Sequence, residues 1–249
     1  MPAQPWGEVS EGGRSPPPSD MASLRTLREQ VIACHRCPRL VAHREAVAQD
    51  PPKRFRGQVY WARPLPGFGD PKARLLIVGL APAAHGGNRT GRMFTGDGSG
   101  EWLMEALHAA RFANQPTSTH ARDSLRLRGA WITAPVRCAP PANRPTPQEL
   151  EACLPFLVRE LELLPEVRVV VALGKFGFDA YLRAREIAGR PVPKPRPRFR
   201  HGGVTRFPDG LRLLASYHPS QQNTFTGKLT RGMLHTIFRR ARALLGGHD

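Results

Sequence analysis

The chain has 249 residues, enough for one α/β domain with a sizeable core. Lys and Arg number 37 against 20 acids, a net charge of +17, which points to a polyanionic partner: nucleic acid or an anionic membrane surface. No apolar run approaches the ~18 residues of a spanning helix, and no basic stretch leading into an apolar core opens the chain, so a cytoplasmic, monomeric protein without a membrane partner is the expectation.

Residues 1–20 are rich in Pro, Gly and Ser without periodic apolar positions and read as a disordered tail, with a single domain over 21–249. Apolar residues at helical spacing predict a helix over 23–33, a turn at Cys34 to Pro38, and a second helix over 39–48. Residues 51–72, rich in Pro, Gly and aromatics, read as an irregular segment. Arg74 to Gly79 is a short continuous apolar run ending in glycine, the pattern of a buried parallel strand. A glycine-rich loop from Gly79 to Asp97 follows, then a helix over 99–112 and a strand over 130–133. Thr146 as N-cap and Pro147 at the first helical position predict a helix over 147–163. A strand over 167–173, a helix over 175–186, a basic Pro-rich excursion over 187–210, a strand over 211–217 and an amphipathic helix over 228–245 complete the chain. This alternation predicts a three-layer α/β/α sandwich around a central four-stranded parallel sheet. Ligands bind such folds outside the carboxyl ends of the strands. The loop after Gly79 and the segment Tyr217-His218-Pro219-Ser220-Gln221-Gln222-Asn223 should therefore open on one edge.

Four cysteines are present. Cys34 and Cys37 form a CxxC turn, and Cys138 and Cys153 are separated by 14 intervening residues. Four soft ligands suit either a structural zinc or a cubane iron–sulfur cluster, and spacing does not choose between them. In the glycine-rich loop the GxGxxG pattern and a Walker lysine are both missing, which weakens a nucleotide-cofactor reading. Phe94 reads as a core aromatic or a stacking platform. Asp97 reads as a cap for the helix behind it or as a reacting carboxylate. His218, at the end of the last strand, is structural or a hydrogen-bond donor, and Asn143, between prolines, is equally a turn residue or a site residue.

Gly79-Leu80-Ala81-Pro82-Ala83-Ala84-His85-Gly86, followed by Asn88-Arg89-Thr90-Gly91-Arg92 and Phe94-Thr95-Gly96-Asp97, together with His218-Pro219-Ser220, resembles family 5 of the uracil-DNA glycosylases, the iron–sulfur type. The resemblance covers about residues 23–245. It implies a [4Fe-4S] cluster on Cys34, Cys37, Cys138 and Cys153, with a structural role. It implies a monofunctional glycosylase that extrudes uracil or another deaminated base from double-stranded DNA. Phe94 would stack on that base, with Ala81, Ala134 and Asn143 lining its pocket. Asp97 would position water and stabilise the sugar cation. His218 would donate to a base carbonyl as charge moves onto the leaving group. Ser220, Gln221, Gln222, Arg89 and Arg92 would contact DNA. The stretch Leu80 to Ala83 lacks the polar side chain that other families use to activate water, and Ala134 stands where family 4 has an asparagine that reads the uracil edge. A broader substrate range follows from that loss. Two other readings compete: a different hydrolase on this fold, and a non-catalytic, metal-stapled nucleic-acid-binding module. Release of free base from uracil-containing DNA discriminates against both.

Overall fold

The structure, a computed structural model, describes residues 23–246, so the tail expected over 1–20 lies outside the described residues. Helices α1 (Leu24–Ile32) and α2 (Pro38–Gln49) come first. Strands β1 (Phe68–Gly69) and β2 (Leu75–Val78) follow. A short turn of helix, α3 (Gly87–Thr90), lies inside the glycine-rich loop and precedes α4 (Gly98–Ala109) and β3 (Ala130–Thr133). Then come α5 (Pro147–Leu163), β4 (Val169–Leu173) and α6 (Gly174–Ile187). The chain closes with β5 (Val204–Arg206), β6 (Arg212–Ser216), α7 (Gln221–Phe225) and α8 (Arg231–Gly246).

The sheet has six strands in the order β1-β3-β2-β4-β6-β5. Its centre is the expected parallel quartet: Ile77 of β2 is flanked by Ile132 and Val171, and Ala172 pairs with Ala215. All residues of β2, β3 and β4 are buried, as parallel strands covered on both faces must be. The expectation of four strands is corrected by two antiparallel edges, β1 on β3 and β5 on β6. These edges are two and three residues long and partly exposed, so they lack the continuous apolar run that marks the inner strands. They lie within the segments read as irregular. Residues 221–225 form one turn of helix between β6 and the last helix, and α8 begins at Arg231 rather than 228.

One face of the sheet carries α4 and α8, with Leu103, Leu107, Leu234 and Phe238 buried against Ile77, Ile132 and Val171. The other carries α5 and α6, with Leu157, Leu161, Phe178 and Tyr181 against Leu76, Val170 and Leu213. Helix α1 packs on α5 through Leu27, Val31 and Phe156 around Cys153. Among the described residues no helix is long and apolar enough to cross a membrane.

Between sheet and α5 lies a buried ion pair. Glu160 is 2 % exposed and accepts from Arg137 Nη1 and Nη2 at 3.2 and 2.5 Å, from Thr133 Oγ1 at 2.5 Å and from Trp131 Nε1 at 3.4 Å. Removing one partner of such a pair strands a charge in a medium that cannot solvate it. Glu160→Ala is expected to cost about 3–5 kcal/mol of stability, read as a fall in the denaturant midpoint; a loss below about 1 kcal/mol would show that Arg137 finds solvent or another anion.

Candidate active site and cysteine centre

The carboxyl ends of β2, β4 and β6 meet at one place. Gly79 ends the β2 run, and the Phe94 ring sits against its backbone: a Cβ there would stand 2.9 Å from two ring carbons, so only glycine lets the ring approach. His218 follows β6 and lies against Gly174 at the end of β4. The Phe94 and His218 rings are 5.8 Å apart, inclined at 31°. Ala134, directly after β3, is buried in the core cluster against which Phe94 packs. Ala81 is half-buried in the loop beyond Gly79.

Phe94 has φ +51°, a conformation that costs a bulky L-residue on the order of 1–3 kcal/mol. Its neighbours hold it there. Buried Thr95 makes bonds of 3.1 Å to Met93 O and 2.7 Å to Ser118 Oγ, and accepts from Arg92 Nε at 3.0 Å. Gly96 N donates to Ser118 O at 2.8 Å. Arg92 Nη2 grips both oxygens of Asp123 at 2.7 and 2.8 Å. Arg89 donates to His85 O, Gln58 Oε1 and Gly96 O, and its guanidinium lies 4.3 Å over the Phe55 ring. Arg89 and Arg92, expected to contact DNA, brace the loop through these bonds. Ser118 and Asp123 lie in a polar stretch whose sequence carries no periodicity, so nothing in the sequence marks them.

Asp97 caps α4, its Oδ1 accepting from Gly100 N at 2.8 Å. Its carboxylate is half-buried and lies against Gly86, where no Cβ would fit. Burial raises its pKa, opposed by the Gly100 and Ser99 amides. Two of about four acceptor positions on a carboxylate are thus used, so cap and reacting group are compatible roles. His85, left unassigned in the sequence, pairs with buried Tyr60 Oη at 3.0 Å and stacks on Phe55. Asn143 is exposed, with φ +55° and its amide bonded to Pro140 O, the geometry of a turn. Ser220 starts α7 without a side-chain cap, and Gln221 and Gln222 are exposed on it. Phe225, at the end of α7, is 82 % exposed.

The four cysteines come together away from this site. Cys34, Cys37, Cys138 and Cys153 line one recess, with Leu40, Pro64 and Arg137. No disulfide joins any of them. Burial pushes the Cys138 thiol up to about 11 and that of Cys153 to about 12, and raises Cys37, with Cys34 adding to the effect. The donors reaching these sulfurs are Arg44 Nη1, 3.2 Å from Cys138 Sγ, and the Arg137 amide, 3.3 Å from Cys153 Sγ. Among the described residues no group of three or more His, Cys, Asp or Glu side chains is placed to hold a single metal ion. The N-terminal helices are tied to this region by Arg39, which grips Glu149 of the α5 capping box through two 2.7 Å bonds.

Residues 66–242 match the family model described as the Uracil DNA glycosylase superfamily. The chain belongs to the uracil-DNA glycosylase superfamily. Type-5 uracil-DNA glycosylases of Mycobacterium tuberculosis and Thermus thermophilus are 52% and 53% identical to it, over 90% and 88% of this chain and 82% and 96% of theirs. That of Pyrobaculum aerophilum is 44% identical over 91% of this chain and 99% of its own. The chain is thus a type-5 member, in agreement with the motif resemblance.

In this uracil-DNA glycosylase family member, burial holds the His218 imidazole down at about 4, so it is neutral at neutral pH. An unfolded histidine titrates near 6.5. Between those values the unfolded chain binds more protons than the folded one. Stability present above pH ~6.5 is lost as pH falls toward 4, by up to about 3 kcal/mol from this residue. His218→Gln should flatten that acid limb of the stability curve, and the ring resonances of wild-type His218 should stay those of a neutral imidazole until near pH 4. Titration near 6.5 would mean that the ring is solvated.

Proposed function

We propose that the protein hydrolyses the N-glycosidic bond of uracil, and of other deaminated bases, in double-stranded DNA, working as a monomer and leaving an abasic site. The observation that carries the reading is the Phe94–His218 pair at the joined strand ends. A base slipped between two rings needs about 7 Å, two contact distances, and these rings are 5.8 Å apart. The two therefore act on different parts of an extruded base: Phe94 offers a face, and His218 an N–H to a carbonyl at the base edge. A neutral imidazole keeps one N–H to donate. It can hold negative charge developing on the departing base without first releasing a proton. Asp97, an anion fixed by backbone amides, suits the opposite task of steadying positive charge on the sugar and orienting water. Ala134 presents only a methyl group where a reader of the base edge would sit, which favours a permissive pocket. Exposed Gln221, Gln222 and Phe225 on α7 begin three residues beyond His218 and suit insertion into the gap left by the extruded nucleotide.

Base release from a lesion panel containing uracil, hypoxanthine and xanthine tests this. Under single-turnover conditions His218→Ala and Asp97→Asn are each expected to slow release by about 10²–10³-fold with DNA binding nearly intact. The His218 change should hurt poor leaving groups most, because it acts on the base. Tight DNA binding without abasic product in the wild type would overturn the reading in favour of a binding module.

The cysteine centre supports a second part of the proposal, that Cys34, Cys37, Cys138 and Cys153 hold a [4Fe-4S] cluster. The donor set fits: four thiols from three chain segments line one recess, the ligand number of a cubane cluster. Such a cluster would supply a covalent bridge between the N-terminal helices, the 134–153 segment and α5. Anaerobically purified protein should be brown, with about four irons per chain, and Cys138→Ser should lose colour and solubility together. A colourless, active protein containing zinc would refute the iron assignment.

A further inference from the structure

We propose that Arg44 is the buried counter-cation of the cysteine centre and couples it to the glycine-rich loop. The inference rests on the reading that the four cysteines hold an iron–sulfur cluster.

Arg44 lies on α2, 1 % exposed. A buried guanidinium is tolerable only beside negative charge, and the other deeply buried arginines have a carboxylate within hydrogen-bond distance: Arg137 has Glu160, and Arg185 has Asp209 at 2.8 Å. Arg44 does not. Its Nη2 is 3.7 Å from Glu45, whose side chain is 49 % exposed, and 3.3 Å from His35 Nδ1. Its Nε is buried with no partner. Its Nη1 is directed at Cys138 Sγ, 3.2 Å away. Four thiolates carry four negative charges, more than the irons and sulfides of a cubane offset, so the loaded centre is the anion that this cation lacks. Neutral thiols would leave Arg44 without one.

The backbone of the same residue faces the other way. Arg44 O accepts from Asn88 Nδ2 at 3.1 Å. Asn88 is wholly buried in α3, inside the loop that carries Phe94 and Asp97. Asn88 N bonds Ala83 O, and Asn88 O accepts from Ala62 N. One residue thus touches the cysteine centre with its side chain and the pocket loop with its carbonyl. Arg44 is a positioning residue, not a catalytic one.

The test uses the holoprotein and reads the cluster's reduction potential and its rate of bleaching in air, neither of which a packing role would move in a charge-dependent way. Arg44→Gln removes the cation and should lower the potential and speed bleaching about tenfold, while Arg44→Lys keeps both near wild type. Glu45→Gln, a half-exposed change that spares packing, removes the competing carboxylate and should raise the potential. It keeps the test decisive if Arg44→Gln does not fold. Unchanged potentials in the purified variants overturn the counter-cation. For the coupling, stripping iron from wild type should raise hydrogen exchange at the Trp61 and Ala62 amides about tenfold, since these bond Arg89 O and Asn88 O; unchanged exchange overturns it. Failure of the cluster reading is seen separately, as wild-type protein without iron.

Discussion

The buried carboxylate of Glu160 holds the two halves of the molecule in register. Four donors converge on it, from Trp131 and Thr133 on β3 and from Arg137, four residues beyond β3. Arg137, the strongest of them, also accepts from Leu65 N through its carbonyl and reaches Cys153 Sγ through its amide. Sheet, α5, the segment before β1 and the cysteine recess are thereby fixed to one ion pair. Such a network is weak as a source of net stability but strict about geometry, because each unsatisfied member costs more than the pair contributes. The position of β3 relative to α5 decides where Ala134, directly after β3, stands in the core.

The chain's large positive charge divides into two populations. Arg44, Arg92, Arg137 and Arg185 are buried or nearly so and serve as internal struts. Lys53, Arg54, Arg56, Lys194, Arg198 and Arg200 are exposed, where cations can exchange with the counterions of a phosphate backbone. A composition count cannot tell the two apart. Each strut is charge that cannot meet DNA, so the surface facing a polyanion is less basic than the sequence total suggests.

What was legible in the sequence had local causes. Helix α5 ran over the predicted span because Thr146, Pro147 and Glu149 are a complete start signal within four positions. The inner strands were legible because burial on both faces writes an unbroken apolar run. The two edge strands were not, since a two- or three-residue strand with one open side writes no pattern. Within the candidate site, glycine and aromatic positions were readable from the loop motif, whereas the partners of its arginines were not. Arg92 meets Asp123 31 positions on, Arg137 meets Glu160 23 on, and Arg44 meets Cys138 94 on. A charge in a sequence announces itself and not its partner.

The left-handed backbone of Phe94 has a consequence for how the family can change. Glycine at this position would relax the backbone, but at the expense of the packing of Phe94 on the core cluster and on the Gly79 backbone. It would also delete the ring. Backbone comfort and the contacts of the ring therefore pull in opposite directions at a single codon, and the surrounding hydrogen bonds of Thr95, Ser118 and Arg92 are what hold the strained conformation. Drift that loosened those bonds would let position 94 relax to an ordinary backbone conformation and carry the ring away from His218 at the strand ends.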